Sequence, residues 1–369
     1  MKSKKNIFMG VIVGLSLVSC AGAGWIYWII HTWPEFGGSP TAAQKVRMES
    51  SKAFHEDHFE NSPPHYESSL WVNLEDRMHA GNRIPPAAFP KQISSFETRL
   101  DGLHAIWMGH ATVLIEISGY RVLTDPVFSQ VIFPISLLSP MRINQPPVAL
   151  KDLPQIDAVT ISHDHYDHMD MKTLQFLSQK GTHFFVGLGL AAHLLRWNIP
   201  QDQIHEMDWW ESQPFQDLII HCTPARHYSG RTSMDSSTLW ASWVIESPTY
   251  KVFHSGDTGY SSHFSQIGKK LGHIDLSLVK IGDYGKDIAW KDIHMIPEHS
   301  IDAHVDLGAS VMIPIHWGTF ILSNHSWNEP IQRAQAAADK KNIHMIVPML
   351  GQRFTWNESF PKNPWWEKL

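Results

Sequence analysis

From residue 104 onward, apolar residues fall into short runs broken by Gly, Pro, Asn and Asp, the spacing of strands and short helices. Residues 104–108 and 112–117 read as strands, Ser118-Gly119 as a hairpin turn, and 120–124 as the returning strand. Residues 157–161 form a continuous apolar run, hence a buried strand, and 171–179 an amphipathic helix. Strands are expected at 184–187, 217–223, 274–281, 311–315 and 344–349, and a hairpin at 239–246 with 251–254. Helices are expected at 190–197, 263–271, 298–307 and 329–341. Hairpins and alternating helices together predict two packed sheets with helices outside, an αββα sandwich over residues 104–369.

Two regions depart from this pattern. Lys2, Lys4 and Lys5 precede an uncharged run from Ile7 to Ile30, long enough for a bilayer span of about 20 residues. Leu17-Val18-Ser19-Cys20 resembles a lipobox, which would make Cys20 a lipidated N-terminus; Trp25-Ile26-Tyr27-Trp28 fits an uncleaved anchor with interfacial aromatics. Either way residues 1–30 are a signal or anchor segment, and the body is expected in a bacterial cell envelope, at a lipid surface. Residues 31–103 are Pro-, Ser- and His-rich, with scattered apolar positions, and read as an irregular cap or linker. Residues 127–147 contain an apolar run broken by Pro134, either a packing loop or one that dips toward lipid.

Hydrophobic content of 43% supports a sizeable core, and a net charge of −6 gives no basic field for nucleic acid. Two cysteines, Cys20 and Cys222, allow no disulfide framework and no Cys-rich zinc site. Histidine is the unusual count, at 24. His55, His58, His65 and His79 lack ligand spacing and read as surface; His183, His193, His205 and His221 read as packing or surface.

The informative cluster is His163-Asp164-His165-Tyr166-Asp167-His168, an H-x-H-x-D-H spacing between strand and helix. Side chains two apart on an extended segment point the same way, so His163 and His165 can grip one cation. Asp167 and His168, where the chain turns, can aim at a second. Imidazole with carboxylate suits zinc, less often iron or manganese. A polar loop with surface histidines is the plain alternative, but partners recur downstream. His227, Asp257 and His316 each follow a predicted strand, where loops at one rim of a sandwich can converge.

These motifs resemble the metallo-β-lactamase superfamily, and within it the N-acylphosphatidylethanolamine-hydrolysing phospholipases D and their bacterial relatives. Met108-Gly109-His110-Ala111-Thr112, Leu123-Thr124-Asp125-Pro126, Trp240-Ala241-Ser242-Trp243, Gly256-Asp257-Thr258-Gly259-Tyr260 and Ile315-His316-Trp317-Gly318 carry the likeness across about residues 70–353. The resemblance implies an α+β, αββα fold with two Zn2+, Mn or Fe being alternatives. One ion would take His163, His165 and His227, the other Asp167, His168 and His316, with Asp257 bridging. Asp167, Asp257 and His294 become the catalytic candidates, His294 as donor to a phosphoryl oxygen or leaving group; its plain alternative is a surface residue ahead of a helix. His110 and Asp125 are expected to orient ligands, or else to be strand-end turn residues; His325 has weaker support. The implied reaction splits N-acylphosphatidylethanolamine into N-acylethanolamine and phosphatidic acid, with a phospholipid membrane as partner and a homodimer suggested. The competing functions are a lactonase or other hydrolase of a soluble phosphorylated substrate, and a non-enzymatic metal-binding envelope protein.

Overall fold

A computed structural model describes Trp25 and residues 27–66, 70–232 and 235–369. Cys20 and most of the apolar N-terminal run lie outside the described residues, and among these no helix is long and apolar enough to cross a membrane.

Two sheets form the body. The larger runs β13 (Arg353–Thr355), β1 (Leu103–Gly109), β2 (Thr112–Ile117), β3 (Tyr120–Thr124), β4 (Ala158–Ile161), β5 (His183–Gly187) and β6 (Ile204–Met207). It is antiparallel from β13 to β3 and parallel from β3 to β6. The smaller runs β12 (Ala309–Ile315), β11 (Ile274–Lys280), β10 (Lys251–His254), β9 (Ser242–Glu246), β8 (Leu218–Thr223) and β7 (Ser212–Phe215). Here β7 to β10 are antiparallel, and β10 to β12 parallel.

Alternation along β1 shows how the layers stack. Leu103, Ala105 and Trp107 join a core with Ile220, Cys222 and Trp243 of the other sheet. Ile106 and Met108 face the opposite way, against Leu174 and Leu177 of α3 (Met171–Ser178) and Leu194 of α4 (Ala191–Arg196). Burial on both faces explains why the sequence shows continuous apolar runs there. Each fully buried large side chain contributes about 1.5–3 kcal/mol. The smaller sheet is covered by α5 (His263–Leu271), α7 (Pro297–Leu307) and α8 (Glu329–Lys341), with α7 packed on α5, α8 and β11. A short α6 (Ile288–Ile293) stands between α5 and α7. The αββα expectation therefore matches the observed layers. Cys222 is free and fully buried, packed as a small hydrophobe.

Three local expectations change. Residues 344–349 are not a full strand: they meet β12 through one bridge, Met345 to Met312, and the last sheet position goes to β13. Strands β6 and β7 were not expected, because they are short and β7 is mostly exposed, which leaves no apolar alternation to read. The 31–103 region holds two helices, α1 (Ala42–Glu49) and α2 (Leu70–Met78), and a small hairpin. A capping box starts α1: the Gln44 amide donates to Thr41 Oγ1, and the Thr41 amide to Gln44 Oε1. The segment still wraps the body. Trp197 Nε1 donates to Pro34 O at 2.6 Å, and the Gly38 amide to His193 Nδ1 at 2.9 Å.

Candidate metal centre

The site lies where four strands end. Beyond β4, the Asp125 carboxylate takes the Ser162 amide at 2.7 Å and the Ser162 hydroxyl at 2.6 Å, fixing the chain as it leaves the sheet. The chain then turns back on itself: the amides of His168 and Met169 both donate to His165 O. That turn brings Asp167 and His168 beside His163. The remaining members follow β8 (His227), β10 (Asp257) and β12 (His316). His316 sits at φ 61°, and its amide donates to His110 O at 2.9 Å.

All seven sequence-expected side chains converge. His163 Nε2 lies 2.8 Å from His165 Nδ1, and His227 Nε2 lies 3.4 Å from the same nitrogen. Next to this trio, His168 Nε2 is 3.1 Å from His316 Nε2 and 3.4 Å from Asp167 Oδ2. Asp257 stands between the two groups. Its Oδ1 is 3.0 Å from His316 Nε2, and its Oδ2 is 3.4 Å from His168 Nε2 and 3.9 Å from His227 Nε2.

Ring nitrogens turned toward one another need a proton or a cation between them. The outer nitrogens are already committed. His168 Nδ1 donates to Asp125 Oδ2 at 2.7 Å, His163 Nδ1 to Ser162 Oγ at 2.9 Å, and His227 Nδ1 to Ile293 O at 3.1 Å. Each ring is thereby left with its inner lone pair facing the cluster, the arrangement seen around bound metals. Asp257 Oδ1 is buried and accepts no hydrogen bond. An orphaned carboxylate oxygen amid imidazoles fits a cation. The N/O donor set, without sulfur, fits zinc and also iron or manganese.

The electrostatics agree. Burial and neighbouring imidazoles hold His163 and His227 well below the ordinary histidine range, so both are neutral donors. Burial also disfavours charge on His168 and His316, yet the Asp257 carboxylate, with Asp167, raises both. The carboxylates thus demand positive charge at this spot.

Asp125 reaches His168 directly and His163 through Ser162. His110 Nε2 bonds Asp167 Oδ2 at 2.9 Å, and its ring packs on His316 at 3.9 Å. His294 lies at the edge, with Nδ1 3.7 Å from Asp257 Oδ2. His325 is outside the cluster and takes the Asp283 amide at 3.0 Å. The motif residue Asp164 turns away, accepting from Gly230 N, Thr238 Oγ1 and His193 Nε2, and so ties the metal loop to the segment after His227.

Sequence reasoning missed Lys280, Asp283 and Tyr228. Lys280 is fully buried, with Nζ 3.5 Å from Asp257 Oδ1 and bonded to His294 Nδ1. Burial pushes the Asp283 carboxyl up to about 6. The Tyr228 ring packs on His165 and His227 at 4.6 and 4.7 Å. A lysine closing an apolar strand was the available signal for the first.

Residues 120–317 match the beta-lactamase superfamily domain. The chain belongs to the metallo-β-lactamase superfamily. As such it is a metal-dependent hydrolase by family, and it carries His/Asp clusters that could hold metal ions. It is 40% identical to an uncharacterized protein of Mycobacterium tuberculosis, over 94% of this chain and 96% of that one. It is 35% identical to N-acyl-phosphatidylethanolamine-hydrolyzing phospholipase D 1 of Caenorhabditis elegans, over 68% of this chain and 75% of that one. Among solved structures, a possible metal-dependent hydrolase from Veillonella parvula superposes with TM-score 0.54 at 18% identity, over 69% of this chain and 99% of that one. That last likeness concerns the fold.

Proposed function

We propose that this protein is a membrane-associated two-metal phosphodiesterase of phospholipase D type, cleaving N-acylphosphatidylethanolamine into N-acylethanolamine and phosphatidic acid. The observation that carries the reading is the pair of donor groups sharing Asp257, in a chain similar to a phospholipase of that specificity. His163, His165 and His227 would hold one ion, Asp167, His168 and His316 the other, and Asp257 both. When bound, such ions lower the pKa of water to about 7 and offset charge on a phosphoryl oxygen.

The protein's own groups prepare this. Asp125, Ser162 and the Ile293 carbonyl each hold a ring in the tautomer that presents its inner nitrogen. Lys280 Nζ donates to His294 Nδ1, so the ring's own proton rests on Nε2. From there it would pass to the departing alcohol oxygen as the P–O bond breaks, while Lys280 Nζ hands a proton to Nδ1 so that the ring stays neutral; the attacking oxygen would bond to phosphorus as hydroxide, its water having already released one proton to solvent. The test is direct: detergent-solubilised full chain, metal content measured, is incubated with the lipid, and N-acylethanolamine is sought by mass spectrometry. Product together with about two metals per chain is expected; fully metallated protein that yields none would refute the substrate.

A further inference from the structure

Two apolar projections rise beside the metal centre, and neither serves its chemistry. The first is the 131–141 loop. At its tip Leu137 is 91% exposed, and Leu138 and Met141 are also exposed. Both ends of the loop are fastened to the site. Phe133 packs edge-on against Tyr166, inside the metal motif, at 5.0 Å. At the other end the Ile321 amide donates to Met141 O, and the Arg142 guanidinium lies over Phe320, whose ring meets His110 at 5.1 Å. The second projection is α2. Trp71, Leu74 and Met78 are exposed and fall at i, i+3 and i+7, hence on one face. That helix is fastened to the opposite margin: Asn324 Nδ2 donates to Asp76 Oδ2, and Gly81 N donates to Asn324 O. Asn324 adjoins His325, which holds the Asp283 amide beside His294.

Solvent-exposed leucine, methionine and tryptophan at such density mark an interaction surface. We propose that the 131–141 loop and the apolar face of α2 dock together on a phospholipid bilayer and seat the mouth of the metal centre on it. This rests on the phospholipid reading above and adds where the lipid surface meets the protein. Three features favour lipid over another protein. Residues 127–141 carry no charge at all. The N-terminal residues 6–30 are likewise uncharged and end in exposed Trp25, Tyr27 and Trp28, the residues suited to a headgroup boundary. Just past them, Phe36 packs against Phe133 at the base of the loop, so an anchored N-terminus delivers the loop to the same membrane.

The experiment uses full-length metallated protein reconstituted in vesicles of phosphatidylcholine and phosphatidylglycerol, with or without bromine on the acyl chains. Bimane is attached at Leu137→Cys, Trp71→Cys or, as reference on the outer helix α8, Lys340→Cys. Unsubstituted protein gives the background from Cys20, and Cys222 is buried. Bromine-dependent quenching at Leu137 and Trp71 several-fold above the Lys340 reference is expected. Quenching equal to the reference overturns the proposal. So does a bimane change that follows protein concentration and ignores bromination, which would make the face a contact between copies. A Leu137→Ser/Leu138→Ser double variant should lower the ratio of vesicle-lipid to soluble p-nitrophenyl phosphodiester turnover about tenfold; an unchanged ratio counts equally against docking. Quenching needs no turnover, so docking survives a wild type that cleaves no phospholipid. Conversely, phospholipid cleavage without quenching leaves the chemistry intact and removes the docking face.

Discussion

The two sheets build their halves of the metal centre differently. The seven-stranded sheet delivers four donors from one loop, 163–168, braced by one carboxylate, Asp125. The six-stranded sheet delivers His227, Asp257 and His316 singly, each past its own strand, with separate supports. The first half is a unit that one substitution can loosen. The second is three independent placements that meet only when β8, β10 and β12 are in register. A donor contributed singly should therefore matter most where it serves both halves, and braces should matter more where they are shared.

Asp257 serves both, so Asp257→Ala should be the most damaging change. Loss of about 10³-fold in kcat/KM on a generic phosphodiester is expected, roughly 4 kcal/mol. Bound metal, read by elemental analysis, should fall below the wild-type level. Full metal retention with unchanged turnover would show that the halves do not depend on this carboxylate.

Acid also bears on the six-stranded sheet from behind. His304 in α7 is 2% exposed behind the six-stranded sheet and donates to or accepts from Ser277 Oγ at 2.8 Å. Burial, with His344 nearby, pushes its pKa down to about 4 from 6.5. The unfolded chain therefore binds a proton in the window between 6.5 and about 4 that the folded chain refuses. Stability from this group is intact above 6.5 and is lost as pH falls through that window, by up to roughly 3 kcal/mol. In urea unfolding, His304→Gln should show a shallower decline over that range than wild type. Equal slopes would place the acid sensitivity elsewhere.

Asp125→Asn tests the shared brace. Asparagine keeps the shape but weakens the acceptor facing His168 and the Ser162 hydroxyl that supports His163. Metal affinity, by chelator competition, should drop about 10–100-fold. Because both rings lean on it, both ions should be affected.

The same contrast explains what could be read from sequence. The 163–168 loop announces itself, because its donors are consecutive and strand 157–161 precedes them. His227, Asp257 and His316 were legible only because each follows an apolar run whose end can converge with others at one rim, a meeting that the family resemblance also implied; the structure places them within hydrogen-bonding or ion-pair distance of the first half. Lys280 was absorbed into strand 274–281, since periodicity registers a buried lysine merely as a strand end. The supports were hidden for another reason. Ile293 contributes a backbone carbonyl, which any residue carries, so no pattern could mark it. Likewise β7 exposes most of its residues and lacks the alternation that burial imposes.

The backbone brace sets up the smallest effect. Ile293 O cannot be deleted by a side-chain change, but its position rests on the Arg226–Asp292 pair. Arg226 Nε donates to Asp292 Oδ1 at 2.8 Å and Nη2 to Oδ2 at 2.6 Å, and Arg226 immediately precedes His227. The same guanidinium also donates to Pro63 O and Pro64 O, so it keeps partners when Asp292 is weakened. Asp292→Asn should therefore shift the carbonyl by a little and leave His227 tethered. Loss of metal affinity below about tenfold is expected, under 1.4 kcal/mol, and confined to one ion in a stepwise chelator titration. A loss as large as that of Asp125→Asn, or one shared by both ions, would mean the six-stranded half is also braced as a unit, and the distinction between the halves would fall.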